Sequence, residues 1–366
     1  MNWSTNDHQY MALALQLASK GQYTARPNPM VGCVIVKNDR IIGQGWHQKS
    51  GCQHAEINAL NNVAESQKKE IAGSTCYVTL EPCSHTGKTG PCAEALIHAG
   101  VKKVIAAMQD PNPQVSGKGF SLLNQAGIET QYGLLENQAQ NLNQGFVSRF
   151  KRKKPWVSLK MAMSLDGRTA LENGESQWIT GAAARKDVHQ LRARQDAIVT
   201  GIGTLLADDP SMTVRSEEAT DWFSKLEQFE QPCRILLDRK GQASFTDKLL
   251  NNNAPVWWVT DNPPEDLQND SHIQIKATLP LTKLIESCAL DGMNHILIEA
   301  GHRLAGQFFQ QNLVDELIVY MAPKLMGNRA MGLLDLEVAK MQDCPQLELK
   351  DLRQFGDDIR LVYQRK

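Results

Sequence analysis

The sequence carries almost no excess of charge: 39 Lys and Arg stand against 40 Asp and Glu in 366 residues, a formal net charge of −1. That balance argues against a nucleic-acid partner, because phosphate backbones are gripped by clustered cations. The one basic run, Lys151-Arg152-Lys153-Lys154, is isolated and reads as a solvated linker face. Long apolar runs are missing too. No stretch approaches the roughly 20 residues that cross a bilayer. Asp7, His8 and Gln16 interrupt the first helix-like segment, so no ordinary signal peptide is expected and the expected location is the cytoplasm. Cysteine is too sparse for a disulfide scaffold, with eight in a chain of this length. Internal repeats and low-complexity tracts are absent. What is present is an ordinary globular composition, 42% hydrophobic and 22% charged, in a chain long enough for two domains that each bury a core.

Against this background one cluster of residue types stands out. His54-Ala55-Glu56 is followed by Pro82-Cys83-Ser84-His85 and then by Pro91-Cys92. One imidazole and two thiolates make a three-ligand zinc site, and a water in the fourth tetrahedral position has its pKa lowered to about 7. The resulting hydroxide can attack an amino-bearing pyrimidine carbon, provided a neighbouring group carries the proton to the departing ammonia. Residues two apart on a helix point in different directions, so a ligating His54 leaves Glu56 free as that shuttle. The expected metal ligands are therefore His54, Cys83 and Cys92, and the expected catalytic group is Glu56. The interval from Ser84 to Pro91 is longer than the usual cytidine-type spacing between cysteines. Its Ser84, His85, Lys88 and two glycines would wrap a substrate larger than a bare base and bring a cation to a phosphate. The alternative is a closed structural knuckle with His85 as fourth ligand. Cys52 is near enough to His54 to count as a stray ligand, whereas Cys33 and Cys76 lie in strand-like runs and read as core.

Periodicity predicts an α/β fold throughout. The first half should hold a helix over 8–20, a hairpin of 31–36 and 41–45 turning at Asn38-Asp39, a helix over 55–64 and a strand over 75–80. A helix with Pro91 in its first turn and Gly100 as its stop follows, then a strand over 101–108 and a helix over 120–126. After Pro155 the pattern restarts, with strands at 156–163, 197–200, 234–238, 256–260, 296–299 and 317–321, a helix over 182–194, and two runs near Leu347 and Ile359. The restart predicts two domains, 1–148 and 149–366. Two strand exits in the second half carry glycine: Thr200-Gly201-Ile202-Gly203-Thr204, and Glu299-Ala300-Gly301-His302-Arg303-Leu304 leading into a helix. Small residues before a helix start let backbone N–H groups approach phosphate. Neither exit matches the dinucleotide fingerprint in full, and tight turns need glycine for backbone reasons alone.

Taken together, several motifs resemble one family. In the first half they are Asn28-Pro29-x-Val31-Gly32, His54-Ala55-Glu56, Pro82-Cys83-Ser84-His85, and Asp110-Pro111-Asn112-Pro113 with Val115-x-Gly117-x-Gly119. In the second they are Ser164-Leu165-Asp166-Gly167, Glu175-Ser176-Gln177-Trp178-Ile179-Thr180, Leu206-Ala207-Asp208-Asp209-Pro210 and Glu299-Ala300-Gly301. Over nearly the whole chain they resemble the bifunctional deaminase/reductase family of riboflavin biosynthesis. The resemblance implies a cytidine-deaminase-like α/β/α domain followed by a dihydrofolate-reductase-like α/β domain, with zinc and NADPH as cofactors. It implies two consecutive reactions on a phosphorylated pyrimidine: hydrolytic deamination of 2,5-diamino-6-(5-phosphoribosylamino)pyrimidin-4-one, then reduction of the ribosyl group to ribityl.

The resemblance also places residues. Asn28, His47, Lys88, Asp110 and Asn112 would line the deaminase pocket, Lys88 meeting the phosphate. Ser176, Arg192, Met212, Arg215 and Glu299 would contact the reductase substrate, and Ala162, Trp178, Thr204, Asp208, Gly301, His302, Arg303 and Leu304 the cofactor. Plainer readings stand beside these: Asn28 and Asp110 precede prolines as turn formers do, His47 suits a surface, Arg192 lies in a helix-like stretch with Arg185, Lys186 and Arg194 and so suits a solvated helix face, and Asp208-Asp209 before Pro210 suits a helix end. Ala300 stands where the family more often has glycine. Lys160 and Asp166 are polar groups near the pocket without an assigned role, and Arg239 and Ser244 are candidates for the extra phosphate of NADPH. A homodimer is expected from the family. Two other functions compete: a deaminase of tRNA or free cytosine nucleosides, opposed by the near-neutral charge and the long inter-cysteine loop, and a nucleotide-holding protein with a degenerate second domain, opposed by Glu299 and the full 175–180 run.

Overall fold

In the computed structural model, residues 2–84, 90–215, 229–264 and 271–366 are described, and the chain separates into two units, Met1–Lys153 and Lys154–Lys366. In the first unit β1 (Gly32–Lys37) and β2 (Arg40–Trp46) pair antiparallel through Asn38 and Asp39, both left-handed at φ 48° and 55°. Two left-handed residues give the turn whose twist matches the strands it joins, and Asn and Asp tolerate that conformation. β1 also pairs antiparallel with β3 (Thr75–Val78), and β4 (Lys103–Ala106) and β5 (Glu129–Tyr132) continue the sheet in parallel, in the order β2-β1-β3-β4-β5.

The strands β1, β3 and β4 are apolar on both faces because both faces are covered. On one side Ala55, Ala59, Ala93, Leu96, Phe120 and Leu123 pack from α2 (Ala55–Asn61), α3 (Cys92–His98) and α4 (Lys118–Gln125). On the other, Met11, Ala14, Leu17, Ala139 and Phe146 pack from α1 (Thr5–Ser19), α5 (Glu136–Leu142) and α6 (Gln144–Arg152). The last two helices have no counterpart in the sequence reading. Lys151 and Arg152 form the last turn of α6, where cations meet the negative end of a helix, and the 148/149 junction falls inside this helix.

α2 approaches β2 so closely that side chains have no room. A Cβ on Gly45 would lie 2.3 Å from Ala59 N and 2.5 Å from Ala55 O, and one on Gly43 would lie 2.4 Å from Ala59 O. Backbone contact thus sets the height of α2 above the sheet.

The second unit is a nine-stranded sheet. Seven strands run parallel: β6 (Trp156–Ser164), β8 (Ala197–Gly201), β9 (Cys233–Leu237), β10 (Val256–Val259), β11 (Ile273–Lys276), β12 (His295–Ile298) and β13 (Glu316–Ala322). A C-terminal antiparallel hairpin of β15 (Leu347–Phe355) and β16 (Asp358–Arg365) adds to β13, giving the order β11-β10-β9-β8-β12-β6-β13-β16-β15. β7 (Arg168–Ala170) and β14 (Met331–Gly332) form a separate ribbon. The crossovers that parallel pairing demands include α7 (Ala182–Ala193), α8 (Ile202–Asp208), α9 (Leu281–Leu290) and α10 (His302–Gln310). Trp257 and Trp258 are both buried, each in the core on its own side of the sheet. Among the described residues no helix is long and apolar enough to cross a membrane.

Gly45→Ala is expected to push α2 off the hairpin and to lower the stability of the first unit by about 1–3 kcal/mol, the usual cost of overpacking. Thermal unfolding with retained-zinc analysis checks this, and a parental midpoint with full zinc would refute the contact.

Candidate active sites at the strand ends

The first site forms where α2 and α3 begin. His54 is the N-cap of α2, Cys92 is the first residue of α3 with Pro91 as its N-cap, and Cys83 lies in the loop after β3. His54 Nδ1 is 3.5 Å from Cys83 Sγ and 3.3 Å from Cys92 Sγ, and the three ligand atoms lie within 4.8 Å of one another. A tetrahedral zinc with bonds of about 2.0 Å to nitrogen and 2.3 Å to sulfur separates such donors by roughly 3.5 Å, so the residues fit the ion. The Cys92 N–H donates to Cys83 Sγ at 3.3 Å. That bond comes from a helix start, where negative charge is favoured. Hydrogen bonding from Cys92, helped by His54, brings the Cys83 thiol down to about 4 against the opposing effect of burial. Among the described residues this is the one such cluster, and Cys52 is exposed outside it.

Glu56 lies in the first turn of α2 and is buried. Loss of water, reinforced by the charge of Cys83, raises its carboxyl to about 7. His47 is not a surface residue: it is buried, with its ring edge-on to His54 at 5.4 Å between centroids. Its Nδ1 faces Gln53 O at 3.2 Å, an acceptor only, so Nδ1 carries the proton and Asn28 Nδ2 donates to Nε2 at 3.1 Å. Burial lowers its pKa and keeps it neutral. Asp110 accepts from Asn112 N at 2.8 Å and Asn112 accepts from Gln114 N at 3.1 Å, so both shape the turn after β4. Lys88 and His85 lie outside the described residues.

Sequence reasoning passed over Glu81. Its buried carboxylate accepts from the N–H groups of Asp110 at 3.2 Å, Gly117 at 3.0 Å, Gly119 at 2.9 Å and Phe120 at 3.4 Å. A Cβ on Gly119 would lie 2.0 Å from Pro82 O. The start of α4, the Asp110 turn and the Cys83 loop are therefore one assembly. The signal in the sequence was an acid directly before Pro82-Cys83 at the end of an apolar strand.

In the second unit β8, β12 and β6 are consecutive parallel strands, and their C-terminal ends bring the expected residues together. Glu299, just past β12, is buried against Arg192 of α7, which donates from Nε to Oε1 at 2.6 Å and from Nη2 to Oε2 at 3.0 Å. Lys160 of β6 lies 3.6 Å from Oε2. Burial would raise this carboxyl, but the charges of Arg192 and Lys160 prevail and hold it at about 2. Arg192 is thus an inward residue and not a solvated helix face. It also donates to Thr213 O at 3.2 Å and reaches Met212 Sδ at 3.5 Å, while the Arg215 N–H donates to buried His189 Nδ1 at 3.3 Å. His189, one turn before Arg192 on α7, is a second residue that the sequence did not flag.

Of the residues expected to contact the cofactor, Thr204 and Asp208 lie on α8 and Gly301 is the N-cap of α10, which carries His302, Arg303 and Leu304 in its first turn without a side-chain cap. The two glycine exits are neighbours: a Cβ on Gly201 would lie 2.9 Å from Leu304 Cδ2. Gln177 Nε2 donates to Asp208 Oδ1 at 2.9 Å and so joins the segment with half-buried Ser176 and exposed Trp178 to α8. Arg185 stacks 4.7 Å over the Trp178 ring. Trp178, Arg185 and Arg215 line a cavity of about 270 Å³. Ala162 sits on β6 opposite Tyr320 of β13. Asp166 accepts from Ser164 Oγ, Met326 N at 3.1 Å and Gly327 N at 2.7 Å, which draw its carboxyl down to about 2 and make it a turn holder. Arg239 pairs with Asp261 at 3.4 Å and Ser244 accepts from Thr246 N at 3.3 Å, both in the stretch following β9.

Comparison with known proteins covers both units. The cytidine and deoxycytidylate deaminase zinc-binding region matches residues 4–108, and the RibD C-terminal domain matches residues 155–361. The chain is 47% identical to the riboflavin biosynthesis protein RibD of Haemophilus influenzae over 100% of this chain and 99% of that protein. Among solved structures it is similar to Acinetobacter baumannii RibD, form 1, with a TM-score of 0.93, 43% identity and 99% of each chain covered. It is also similar to a Thermotoga maritima diaminohydroxyphosphoribosylaminopyrimidine deaminase/5-amino-6-(5-phosphoribosylamino)uracil reductase, with a TM-score of 0.86, 30% identity and 99% of each chain covered.

With the Glu299 carboxyl at about 2 in the folded chain against an ordinary 4.5, its stabilisation is present above about 4.5 and is lost as pH falls toward 2. Glu299→Gln should abolish that acid dependence. It should also cost about 3–5 kcal/mol at neutral pH, because Arg192 keeps a buried charge without its partner. Unfolding of both proteins from neutral pH to about 2 tests this, and parallel curves would disprove it.

Proposed function

This chain belongs to the bifunctional deaminase/reductase family of riboflavin biosynthesis, and from that premise we propose how its two sites divide the chemistry. The protein is a zinc-dependent pyrimidine deaminase joined to an NADPH-dependent reductase. The first unit removes the 2-amino group of the phosphoribosylated diaminopyrimidinone, and the second reduces the ribosyl group of the product to ribityl.

His54, Cys83 and Cys92 hold the zinc, which when bound acts as the Lewis acid that makes water nucleophilic at neutral pH. Glu56 beside them has a carboxyl raised to about 7, so at that pH it can carry the two protons of the attacking water one at a time, the first to the ring nitrogen and the second to the amino group, which departs as ammonia. Neutral His47, joined to Asn28, orients the pyrimidine, with Asp110 and Asn112 shaping the far wall. Lys88 takes the phosphate.

In the second unit the ribosylamine can open to an imine, whose anomeric carbon receives the hydride that NADPH supplies. Arg192 fixes Glu299 through two bonds, so this carboxylate meets the substrate already oriented. Arg215 supplies a cation for the substrate phosphate, and Ser176 and Met212 complete the substrate side. The uncapped start of α10, Gly301 to Leu304, offers backbone N–H groups to the cofactor phosphates, and Ala162, Trp178, Thr204 and Asp208 complete that side.

The ligand is a phosphorylated small molecule and neither a nucleic acid nor a membrane. A homodimer is carried over from the family. The cytoplasm is the proposed location.

The observation that carries the reading is the His54-Cys83-Cys92 triad with Glu56 beside it. Zinc-loaded protein given the phosphoribosylated diaminopyrimidinone should release ammonia and then oxidise NADPH. Glu56→Gln should slow ammonia release by about 10²- to 10⁴-fold, while keeping its zinc and its NADPH oxidation on the deaminated substrate. Undiminished ammonia release would remove Glu56 from the mechanism.

A further inference from the structure

Both main-chain polar groups of Met30 are taken up by one side chain from the far end of the first unit. Asn143 Oδ1 accepts from Met30 N at 2.8 Å, and Asn143 Nδ2 donates to Met30 O at 2.9 Å. The pair of bonds copies the double exchange between opposed residues of antiparallel strands. Asn143 itself is fixed. It is buried, stands alone between α5 and α6, and is held there by its N–H to Ala139 O and Gln140 O at 3.2 Å and by its carbonyl, which receives Val147 N at 3.0 Å.

Met30 belongs to the short loop that carries Asn28. On its other side this loop is tied to His47, whose N–H donates to Val31 O at 2.9 Å and whose ring receives Asn28 Nδ2 at 3.1 Å. The loop therefore lies between two anchors, one in the deaminase site and one behind it. Without the rear anchor the N–H and C=O of Met30 would need other partners, and the loop would move to find them.

We propose that Asn143 is a positioning residue for substrate recognition by the deaminase: through Met30 it holds the Asn28 amide against His47, so that the two meet the pyrimidine in one orientation. This rests on the reading that Asn28 and His47 line the deaminase pocket. α5 and α6 thereby act on a site to which they contribute no contact group.

The test is a double-mutant cycle on the full-length, zinc-loaded chain, with steady-state deamination of the phosphoribosylated diaminopyrimidinone as readout. Asn143→Ala should raise KM by about 10- to 100-fold, the scale of a remote misplacement, with kcat, zinc content and reductase turnover retained. Asn143→Asp, which keeps the acceptor for Met30 N but sets a carboxylate oxygen against Met30 O, should raise KM at least as much. Asn28→Ala should also raise KM, and the double variant should be no worse than the poorer single, because both act through one group. If Asn143→Ala does not fold, Asn143→Asp completes the same cycle. Additive losses, or a fall in kcat together with zinc loss, would overturn the proposal and leave Asn143 a role in folding alone. Parental kinetics for Asn28→Ala would instead overturn the pocket reading, and the proposal with it.

Discussion

A carboxylate withdrawn from water must be met by fixed donors or cations, or else hold its proton, and three buried glutamates answer that demand in three ways. Glu81 takes four backbone N–H groups and so draws a turn, a helix start and a ligand loop around itself. Glu299 takes a guanidinium and an ammonium and stays ionised. Glu56 has too little of either: the charge of His54 and a bond to Cys92 do not offset burial beside Cys83, and its proton affinity rises to the neutral range. The same side chain is a structural hub, an oriented charge or a group that titrates in the neutral range according to what surrounds it.

The placement of these groups follows from topology. In the first unit β3 and β4 run parallel, so the loops bearing Cys83 and Asp110 leave the sheet side by side. In the second, β8, β12 and β6 do the same for the segments bearing Thr204, Glu299 and Asp166. Crevices beyond the carboxyl ends of parallel strands are where open α/β sheets bind ligands, and both units obey that rule.

The His54-Cys83-Cys92 cluster was legible because its residue types stand in short motifs with few other uses together, and Glu56 belongs to the first of those motifs. Most strands of both sheets were legible because apolar runs of their length have nowhere to go except a covered sheet, whereas β5 and β11, short strands rich in polar residues at the sheet edges, were not. Glu81 and Asn143 were not, since their partners are backbone groups tens of residues distant and a lone acid or amide carries no periodic signal. α5 and α6 were hidden because their polar faces and the basic tail of α6 read as linker. Arg192 and His47, which the resemblance assigns to pockets and which also allowed a plainer surface reading, are both turned inward by the fold. Lys88, one of the expected pocket residues, lies outside the described structure, and its role rests on the family resemblance.

The strand order of the second unit bears on how the chain reaches this state. β12 lies between β6 and β8 yet follows them in sequence by about a hundred residues or more, with β9, β10 and β11 all preceding it. During synthesis, β8 through β11 can assemble as a patch while β6 waits with an open edge, and the two halves join only when residues His295–Ile298 insert between them. Such a late, non-local closure makes folding slow relative to the unit's size and leaves unpaired strand edges exposed on the way. Chaperone dependence and aggregation during overexpression should therefore originate in the reductase half, whose keystone strand arrives after both of the strands it joins.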